Sequence, residues 1–128
     1  MNLSKDLSDR IVAGALACVG REFIWETYNC VHFVRFVFGS VGVEFPILSK
    51  RLPPPREFHL SRDEFARMPL GHSVFLKRKA KVTSRLWSHI AIIVGADALV
   101  HNTRHMGHGV VVSSTRELLE VYDLSQEI

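Results

Sequence analysis

The first half of the chain carries its apolar residues at helical spacing. Between residues 7 and 19 they recur every three or four positions, which predicts a helix with one apolar face. Residues 30–41 follow as a nearly continuous apolar run behind Asn29, whose residue type commonly caps helix starts. Because a helix that is apolar almost all round must be buried, this second helix is predicted to lie at the centre of the fold.

The middle of the chain predicts a loop and a short helix. Three consecutive prolines at 53–55 indicate an extended loop within residues 45–60. Ser61 and Glu64 then have the spacing of a capping box, which predicts a short helix over residues 62–68.

The second half changes to a strand pattern. Short β-branched runs separated by Gly, Asp and Asn predict strands at residues 73–76, 89–94, 98–101 and 110–113, and a final helical turn is predicted at 115–120. Helices first and strands second indicate an α+β domain, in which a buried N-terminal helix packs on a small antiparallel β-sheet.

Composition fits one domain spanning residues 1–128, since 47% hydrophobic residues can fill one core of this size. The 16 Lys and Arg against 13 Asp and Glu leave a formal net charge of +3. This mild excess favours an anionic partner such as a cell-wall polymer or nucleic acid. The densest run of basic residues is interpreted first as a solvated loop. It consists of Lys77, Arg78, Lys79, Lys81 and Arg85.

The two cysteines, Cys18 and Cys30, are too few for a disulfide scaffold and are expected to be free thiols. Cys18 lies near the end of the first predicted helix, where a small buried thiol is the ordinary explanation. The apolar run 11–19 is too short to span a bilayer, and the acidic residues before it do not suit a signal peptide. We therefore expect a protein made in the cytoplasm, with no signal peptide, no transmembrane segment and no stable membrane insertion.

Cys30 has the position of a catalytic nucleophile. The first turn of a helix favours a thiolate, so we expect the pKa of Cys30 to be depressed. A catalytic cysteine also needs an imidazole and a third polar group that orients it. His89 begins one predicted strand, and His101 ends the next strand twelve residues later. With residues 95–97 as the turn of an antiparallel hairpin, the two imidazoles should lie side by side.

One cysteine and two histidines are a weak signal in a chain with 7 histidines. A more specific signal comes from six segments in sequence order: GREFIW at 20–25, NCVHFV at 29–34, GVEFP at 42–46, PLGHSVF at 69–75, SHIAIIVG at 88–95 and LVH at 99–101. The first four resemble the Gly-x-x-Tyr-x-Trp, Asp-Cys-Ser-Gly-Phe-Val, Gly-x-x-x-Pro and Pro-Gly-Asp-x-Val-Phe motifs of the NlpC-type family. The last two resemble the strands that bear the base and the third residue in that family.

The resemblance implies a papain-like cysteine peptidase or amidase with the papain-like NlpC-type fold. Members of this family usually cut the peptide part of bacterial peptidoglycan, so the implied partner is a stem peptide or similar amide and not a nucleic acid. By position, Cys30 is the nucleophile, His89 the general base and then acid, and His101 the orienting residue. The backbone N–H of Cys30 is expected to contribute to an oxyanion hole. No cofactor and no metal are implied.

Three positions of the implied substrate site depart from the family pattern. The family tyrosine near the oxyanion falls on Phe23, and Tyr28 is the candidate for a substitute. The Asp and Ser that hold a substrate amine in many members fall on Asn29 and Val31. The Asn-Cys start is also similar to amidase toxins that bacteria inject into rivals. That similarity implies delivery to the cell wall by a phage or secretion machinery, with an inhibitor or delivery protein as a partner.

Two other functions stay open at this point. NCVHFV also resembles the NCEHFV motif of the lecithin:retinol acyltransferase group, which implies an acyltransferase or thioesterase acting on lipids. In that group the catalytic histidine precedes the cysteine, whereas His89 follows Cys30, so this function ranks second. A catalytically inactive cell-wall-binding module is the non-enzymatic alternative.

The remaining histidines give weaker signals. His32 lies about 200° around the helix from Cys30, so it is expected to be a packing residue rather than the base. His101, His105 and His108 form a loose cluster in sequence, but no carboxylate or cysteine accompanies it at metal-ligand spacing. A metal site is therefore not predicted.

Overall fold

The computed structural model describes residues 2–46, 48–79 and 85–125. In this part of the chain it contains four α-helices and five β-strands, an α+β fold. The helices are α1 (Lys5–Ala17), α2 (Cys30–Ser40), α3 (Arg62–Ala66) and α4 (Thr115–Val121). The strands are β1 (Ser73–Arg78), β2 (His89–Gly95), β3 (Ala98–Thr103), β4 (Gly109–Ser113) and β5 (Tyr122–Leu124). A 3-10 turn, Arg56–Phe58, lies in the proline-rich loop.

The strands form one antiparallel sheet in the order β4-β3-β2-β1-β5. The helices and strands that the sequence predicts are present, with bounds shifted by a few residues. The pattern does not predict β5, because this strand directly follows α4 and is too short for an alternating pattern. Lys81 of the basic run and Ile47 of the predicted loop lie outside the described residues.

Both faces of the sheet are buried, and successive residues alternate between them. In β2, Ile90 and Ile92 belong to the core formed with α1 and α2, whereas Ala91 and Ile93 belong to the core on the opposite face. That second core includes residues of α3, α4 and β5: Phe65, Leu118 and Tyr122. A strand buried on both faces has a continuous apolar sequence, which explains the unbroken run of β2.

The apolar run 30–41 forms the buried helix α2. This helix packs on β2 and β3 and against α1. Its most deeply buried side chains are at most 1% exposed: Phe33, Val34, Val37 and Phe38. Among the described helices, none combines the length and the apolar character needed to cross a membrane.

The segment that precedes α2 runs beside β4 and is held there by backbone pairing. The N–H of Val110 donates to the carbonyl of Arg21 at 2.8 Å. Glycine is required at position 109, because a Cβ on Gly109 would overlap the same carbonyl. This pairing fixes the path that brings Phe23 and Trp25 to the cavity described below.

The burial of α2 can be tested with two phenylalanines on the same helix. Phe33 is fully buried, whereas Phe36 is 50% exposed, with the guanidinium of Arg21 4.9 Å from its ring centroid. We expect Phe33→Ala to lower the free energy of unfolding by about 3 to 5 kcal/mol, because it leaves a cavity in the core. Phe36→Ala should cost less than about 1 kcal/mol. Denaturant unfolding measures both losses, and equal losses would contradict this placement of α2.

Candidate active site

Cys30 and His89 line one cavity at the end of the sheet. Cys30 comes from the start of α2, which covers one face of the sheet. His89 is the first residue of β2 and, by strand alternation, shares the opposite face with Ala91 and Ile93. The cavity therefore lies where the two faces come together, and we call it the Cys30 cavity.

The side chain of Asn29 determines where α2 begins. Its Oδ1 accepts hydrogen bonds from the backbone N–H groups of Val31 at 3.0 Å and His32 at 3.2 Å, which confirms Asn29 as the N-cap. His32 completes a capping box, because its Nδ1 accepts a hydrogen bond from the N–H of Asn29 at 3.4 Å. The cap does not use the N–H of Cys30, which lies beside the Cys30 sulfur.

A second asparagine ties the start of α2 to the sheet. Asn102 is fully buried in β3, and its Nδ2 donates to the carbonyl oxygens of Tyr28 at 2.7 Å and Asn29 at 3.2 Å. These two carbonyls immediately precede α2, so Asn102 sets the position of Cys30 relative to β3.

Burial raises the pKa of the Cys30 thiol above its ordinary value. The ammonium of Lys50 and the backbone N–H groups of Ile90 and of the helix start act in the opposite direction but do not overcome burial. The expectation of a depressed pKa is therefore wrong. The helix start does supply amide donors, but Cys30 is only 4% exposed and has lost the water that stabilises a thiolate. Cys30 is a neutral thiol near neutral pH.

His89, His101 and Ser113 form a hydrogen-bonded chain, which we call the histidine chain. His89 Nε2 lies 2.7 Å from His101 Nδ1, and His101 Nε2 lies 2.8 Å from Ser113 Oγ. The predicted side-by-side placement of the two imidazoles is confirmed, although the turn is tighter than predicted, with Gly95 pairing with Ala98. Because Nε2 bonds to His101, Nδ1 is the ring nitrogen of His89 that remains outside the chain.

Burial keeps both imidazoles neutral. It lowers the pKa of His89 well below 6.5, and the nearby His101 and Lys50 lower it further. Burial also lowers the pKa of His101 to about 4. Tyr122 covers the ring of His89, with ring centroids 4.5 Å apart and planes 9° from parallel. A neutral, positioned imidazole is the form that can accept a proton.

The four positions inferred for substrate binding do not converge on the Cys30 cavity. Phe23 lines this cavity. Asn29 and Val31 line a neighbouring depression instead, and Trp25 lines both this depression and the Cys30 cavity. The Asn29 side chain is also fully engaged, because its Nδ2 donates to the carbonyl of Trp25 at 3.1 Å while its Oδ1 caps α2. Asn29 is thus engaged by the capping role that its residue type predicts, rather than by substrate binding.

Tyr28 borders a separate depression together with Phe36. It closes a tight turn by donating its N–H to the carbonyl of Ile24 at 2.7 Å, and the guanidinium of Arg21 lies 5.8 Å from its ring centroid. This position does not support Tyr28 as the substitute for the family tyrosine. The tyrosine that lines the Cys30 cavity is Tyr122.

Sequence reasoning missed several residues of the site. Ser113 could have been found, because residues 89, 101 and 113 repeat the twelve-residue interval across two successive hairpins. Tyr122 gave no signal, because β5 is not predicted. Arg78 and Arg85 line the Cys30 cavity and are partly buried, and Lys77 lies with Arg78 in β1. The interpretation of their run as a solvated loop is therefore wrong for these three residues.

The sequence cluster of His101, His105 and His108 does not form a metal-binding group. Within residues 2–46, 48–79 and 85–125, no three His, Cys, Asp or Glu side chains converge in this way. Both ring nitrogens of His101 are engaged instead, by His89 and Ser113.

Comparison with known proteins gives no relative: no protein-family model matches the chain, and no curated protein is significantly similar to it. Function is therefore inferred from the geometry of the site and from the motif resemblance.

The neutral, buried imidazoles predict a loss of stability in acid. The pKa of His101 is about 4 in the folded chain and ordinarily 6.5. Between these two values the unfolded chain binds a proton at His101 and the folded chain does not. The free energy of unfolding is therefore highest above pH 6.5 and decreases as the pH falls toward 4. We expect His101→Gln to reduce the slope of the unfolding free energy in this window by about 1.4 kcal/mol per pH unit. Denaturant unfolding at several pH values measures the slope.

A matched control is His108→Asn, because His108 is exposed and asparagine tolerates its positive φ of 56°. This variant should keep the slope of the parent protein. An unchanged slope for His101→Gln would show that His101 is not buried in its neutral form.

Proposed function

We propose that this protein is a papain-like cysteine hydrolase of the NlpC type, which cleaves amide bonds in bacterial cell-wall peptides through a thioester acyl-enzyme. The observation that carries the proposal is the arrangement of Cys30 and the histidine chain. Cys30 and His89 line one cavity. The hydrogen bond between His89 Nε2 and His101 leaves Nδ1 of His89 as the nitrogen that would accept the thiol proton of Cys30. The assignment of peptidoglycan stem peptides as substrate comes from the motif resemblance.

The finer assignment of the fold is part of this proposal. In the NlpC-type arrangement, the cysteine begins a buried helix and the histidines lie on adjacent strands of an antiparallel sheet. Here α2 begins with Cys30 and packs on β2 and β3, which carry His89 and His101. The order of these elements along the chain supports the peptidase over the lipid acyltransferase, whose histidine precedes its cysteine.

Acylation follows from the neutral resting state. His89 Nδ1 accepts the thiol proton while the Cys30 sulfur attacks the substrate carbonyl carbon. Before the attack, His89 Nε2–H donates to His101 Nδ1 and His101 Nε2–H donates to Ser113 Oγ, which keeps Nδ1 of His89 unprotonated and ready to accept that proton. The backbone N–H of Cys30 stabilises the oxyanion that develops on the carbonyl. The leaving amine takes the proton from His89, and a thioester on Cys30 remains.

Deacylation uses the same groups in reverse order. His89 removes a proton from water, the water oxygen attacks the thioester carbonyl, and the thiolate leaves and is protonated by His89. A thiol and an imidazole supply both the nucleophile and the proton carrier, so the reaction as proposed needs no cofactor and no metal. A cell-wall substrate implies that a phage or secretion machinery delivers the protein, and that an inhibitor or delivery protein is its partner.

The roles within the site can be separated by substitution. We expect Cys30→Ala and His89→Ala to abolish hydrolysis, because each removes a group that takes part in bond making. His101→Ala should retain weak activity, because an orienting group helps without being indispensable, and His101→Asn or His101→Gln should recover part of the loss through an amide oxygen that accepts the same hydrogen bond. Ser113→Ala should reduce activity less than His101→Ala does.

The measurement is the mass of products released from purified peptidoglycan, with Cys18→Ala as the matched control. Cys18 is the other buried cysteine, and it should be replaceable without loss of product. Product formation by Cys30→Ala would refute the assigned nucleophile. Absence of product from the intact protein, with retained binding to peptidoglycan, would favour the catalytically inactive binding module.

The lowered pKa of His89 predicts where activity falls in acid. His89 must be unprotonated to act as base, and its pKa lies well below 6.5 in the folded chain. We therefore expect the acid limb of kcat/KM to have its midpoint below pH 6.5, measured at a temperature where the protein stays folded. A midpoint at or above this value would contradict the burial of a neutral base.

A further inference from the structure

The last helix and strand bring one tyrosine into the site. Tyr122 is the first residue of β5 and lines the Cys30 cavity. Its backbone is held from two sides, because its N–H donates to the carbonyl of Leu118 in α4 and it pairs with Arg78 of β1. Its side chain is buried, with 2% of the residue exposed. The fold therefore sets the position of the Tyr122 ring, which lacks the freedom of a surface side chain.

The Tyr122 ring lies flat on the imidazole of His89. The two ring centroids are 4.5 Å apart and the planes are 9° from parallel. The ring of His101 instead meets His89 at 75°, and its Nδ1 is hydrogen-bonded to His89 Nε2. His89 is thus held by a face contact from β5 and by an edge contact from β3. The edge contact places Nε2, and the face contact sets the plane of the ring.

The plane of the ring decides where Nδ1 of His89 points. In a histidine side chain, Nε2 lies close to the axis of the Cβ–Cγ bond and Nδ1 lies farther from it. Rotation about this bond therefore moves Nδ1 more than Nε2, and the torsion has no narrow intrinsic minimum. The hydrogen bond to His101 alone would leave Nδ1 loosely placed. The stacked ring of Tyr122 restricts this rotation, because a tilted imidazole would collide with it.

The hydroxyl group of Tyr122 is anchored to the strand that carries His101. It lies 3.2 Å from Oγ1 of Thr103, which is the last residue of β3 and is buried. Thr103 Oγ1 also accepts a hydrogen bond from the N–H of His105 at 3.1 Å. These bonds tie the Tyr122 ring to β3, so the ring and His101 keep a fixed relation to each other on either side of His89.

The same ring shields His89 from water. Burial is the main reason that the pKa of His89 lies well below 6.5, and three nearby groups lower it further: His101, Lys50 and His105. Cys30 and Tyr122 are neutral, and the remaining titratable side chains that the structure describes in the cavity are arginines. None of these groups favours the protonated imidazole. Removal of the Tyr122 ring would admit water and raise the pKa of His89 toward its ordinary value.

We propose that Tyr122 is a positioning residue for the base: its ring sets the plane of the His89 imidazole so that Nδ1 stays directed into the Cys30 cavity, and Thr103 anchors that ring through its hydroxyl. Tyr122 acts through His89 and takes no part in bond making. Its effect on catalysis rests on the proposed function, whereas the plane and the protonation of His89 are properties of the fold and can be measured without hydrolysis.

Nuclear magnetic resonance of protein with isotope-labelled histidine tests the contact. The His89 signals are identified by their loss in His89→Gln. In the unaltered protein we expect the stacked ring to shift the carbon-bound ring protons of His89 upfield, and we expect a titration midpoint below pH 6.5. Tyr122→Leu should remove the upfield shift and move the midpoint upward, toward 6.5. Tyr122→Phe, which keeps the ring, should preserve both.

A matched control is Phe65→Leu, because Phe65 is buried in the same core as Tyr122 and does not line the cavity. This variant removes an aromatic ring that has no described contact with His89, so the upfield shift and the midpoint should stay unchanged. Equal upward shifts in Tyr122→Leu and Phe65→Leu would show a general loosening of the core and would overturn the inference. Absence of the upfield shift from the unaltered protein would also overturn it, even where Tyr122→Leu fails to fold.

Kinetics separate the ring from the hydroxyl. Tyr122→Leu should lower kcat for a stem peptide on the order of 10- to 100-fold and change KM by less than about twofold, because a misplaced base affects the chemical step. Tyr122→Phe and Thr103→Val should each lose less than about fivefold, since the ring remains. A loss in Tyr122→Phe as large as that in Tyr122→Leu would assign the effect to the hydroxyl and reject the positioning role of the ring.

The outcomes separate this inference from the proposed function. The expected changes at His89 in Tyr122→Leu, without peptidoglycan hydrolysis by the unaltered protein, would support the positioning contact and reject the hydrolase. Hydrolysis that Tyr122→Leu leaves unchanged would support the hydrolase and reject the positioning role.

Discussion

The buried side chain of Asn102 connects the helix that carries the cysteine to the sheet that carries the histidines. Its Nδ2 donates to the two carbonyls that precede α2, and a buried donor left without such acceptors would be costly. Asn29 then caps the same helix start from the outside. Together with the packing of α2 on β2 and β3, the two asparagines hold Cys30 at the end of the sheet.

Burial shifts the pKa values of Cys30 and His89, the two reacting groups of the proposed hydrolase, in opposite directions. It raises the pKa of Cys30 and lowers the pKa of His89, so both are neutral before substrate enters. A general-base mechanism suits this state better than a preformed thiolate and imidazolium pair. In the proposed reaction, the surrounding cations would reduce the cost of developing negative charge on sulfur and on the substrate carbonyl oxygen.

Sequence periodicity predicts the features that depend on local pattern. It does not predict the features that depend on burial and tertiary contacts. The apolar run of α2, the Asn29 cap and the hairpin that pairs His89 with His101 follow from spacing and residue type. The pKa of Cys30 was misjudged because the helix start is a local property, whereas desolvation depends on the whole fold. Tyr122 could not be found, since its strand is too short to show a period and reaches the site only through pairing with β1.

In the proposed reaction, Cys30 carries the acyl group of a peptide substrate during turnover. The most direct measurement is peptide mass mapping of the protein after rapid acid quenching in the presence of excess stem peptide. We expect an adduct of the acyl fragment on the peptide containing Cys30, which neutral hydroxylamine removes because it is a thioester. Product release with no adduct on Cys30, or with a stable adduct on Cys18 instead, would contradict the claim.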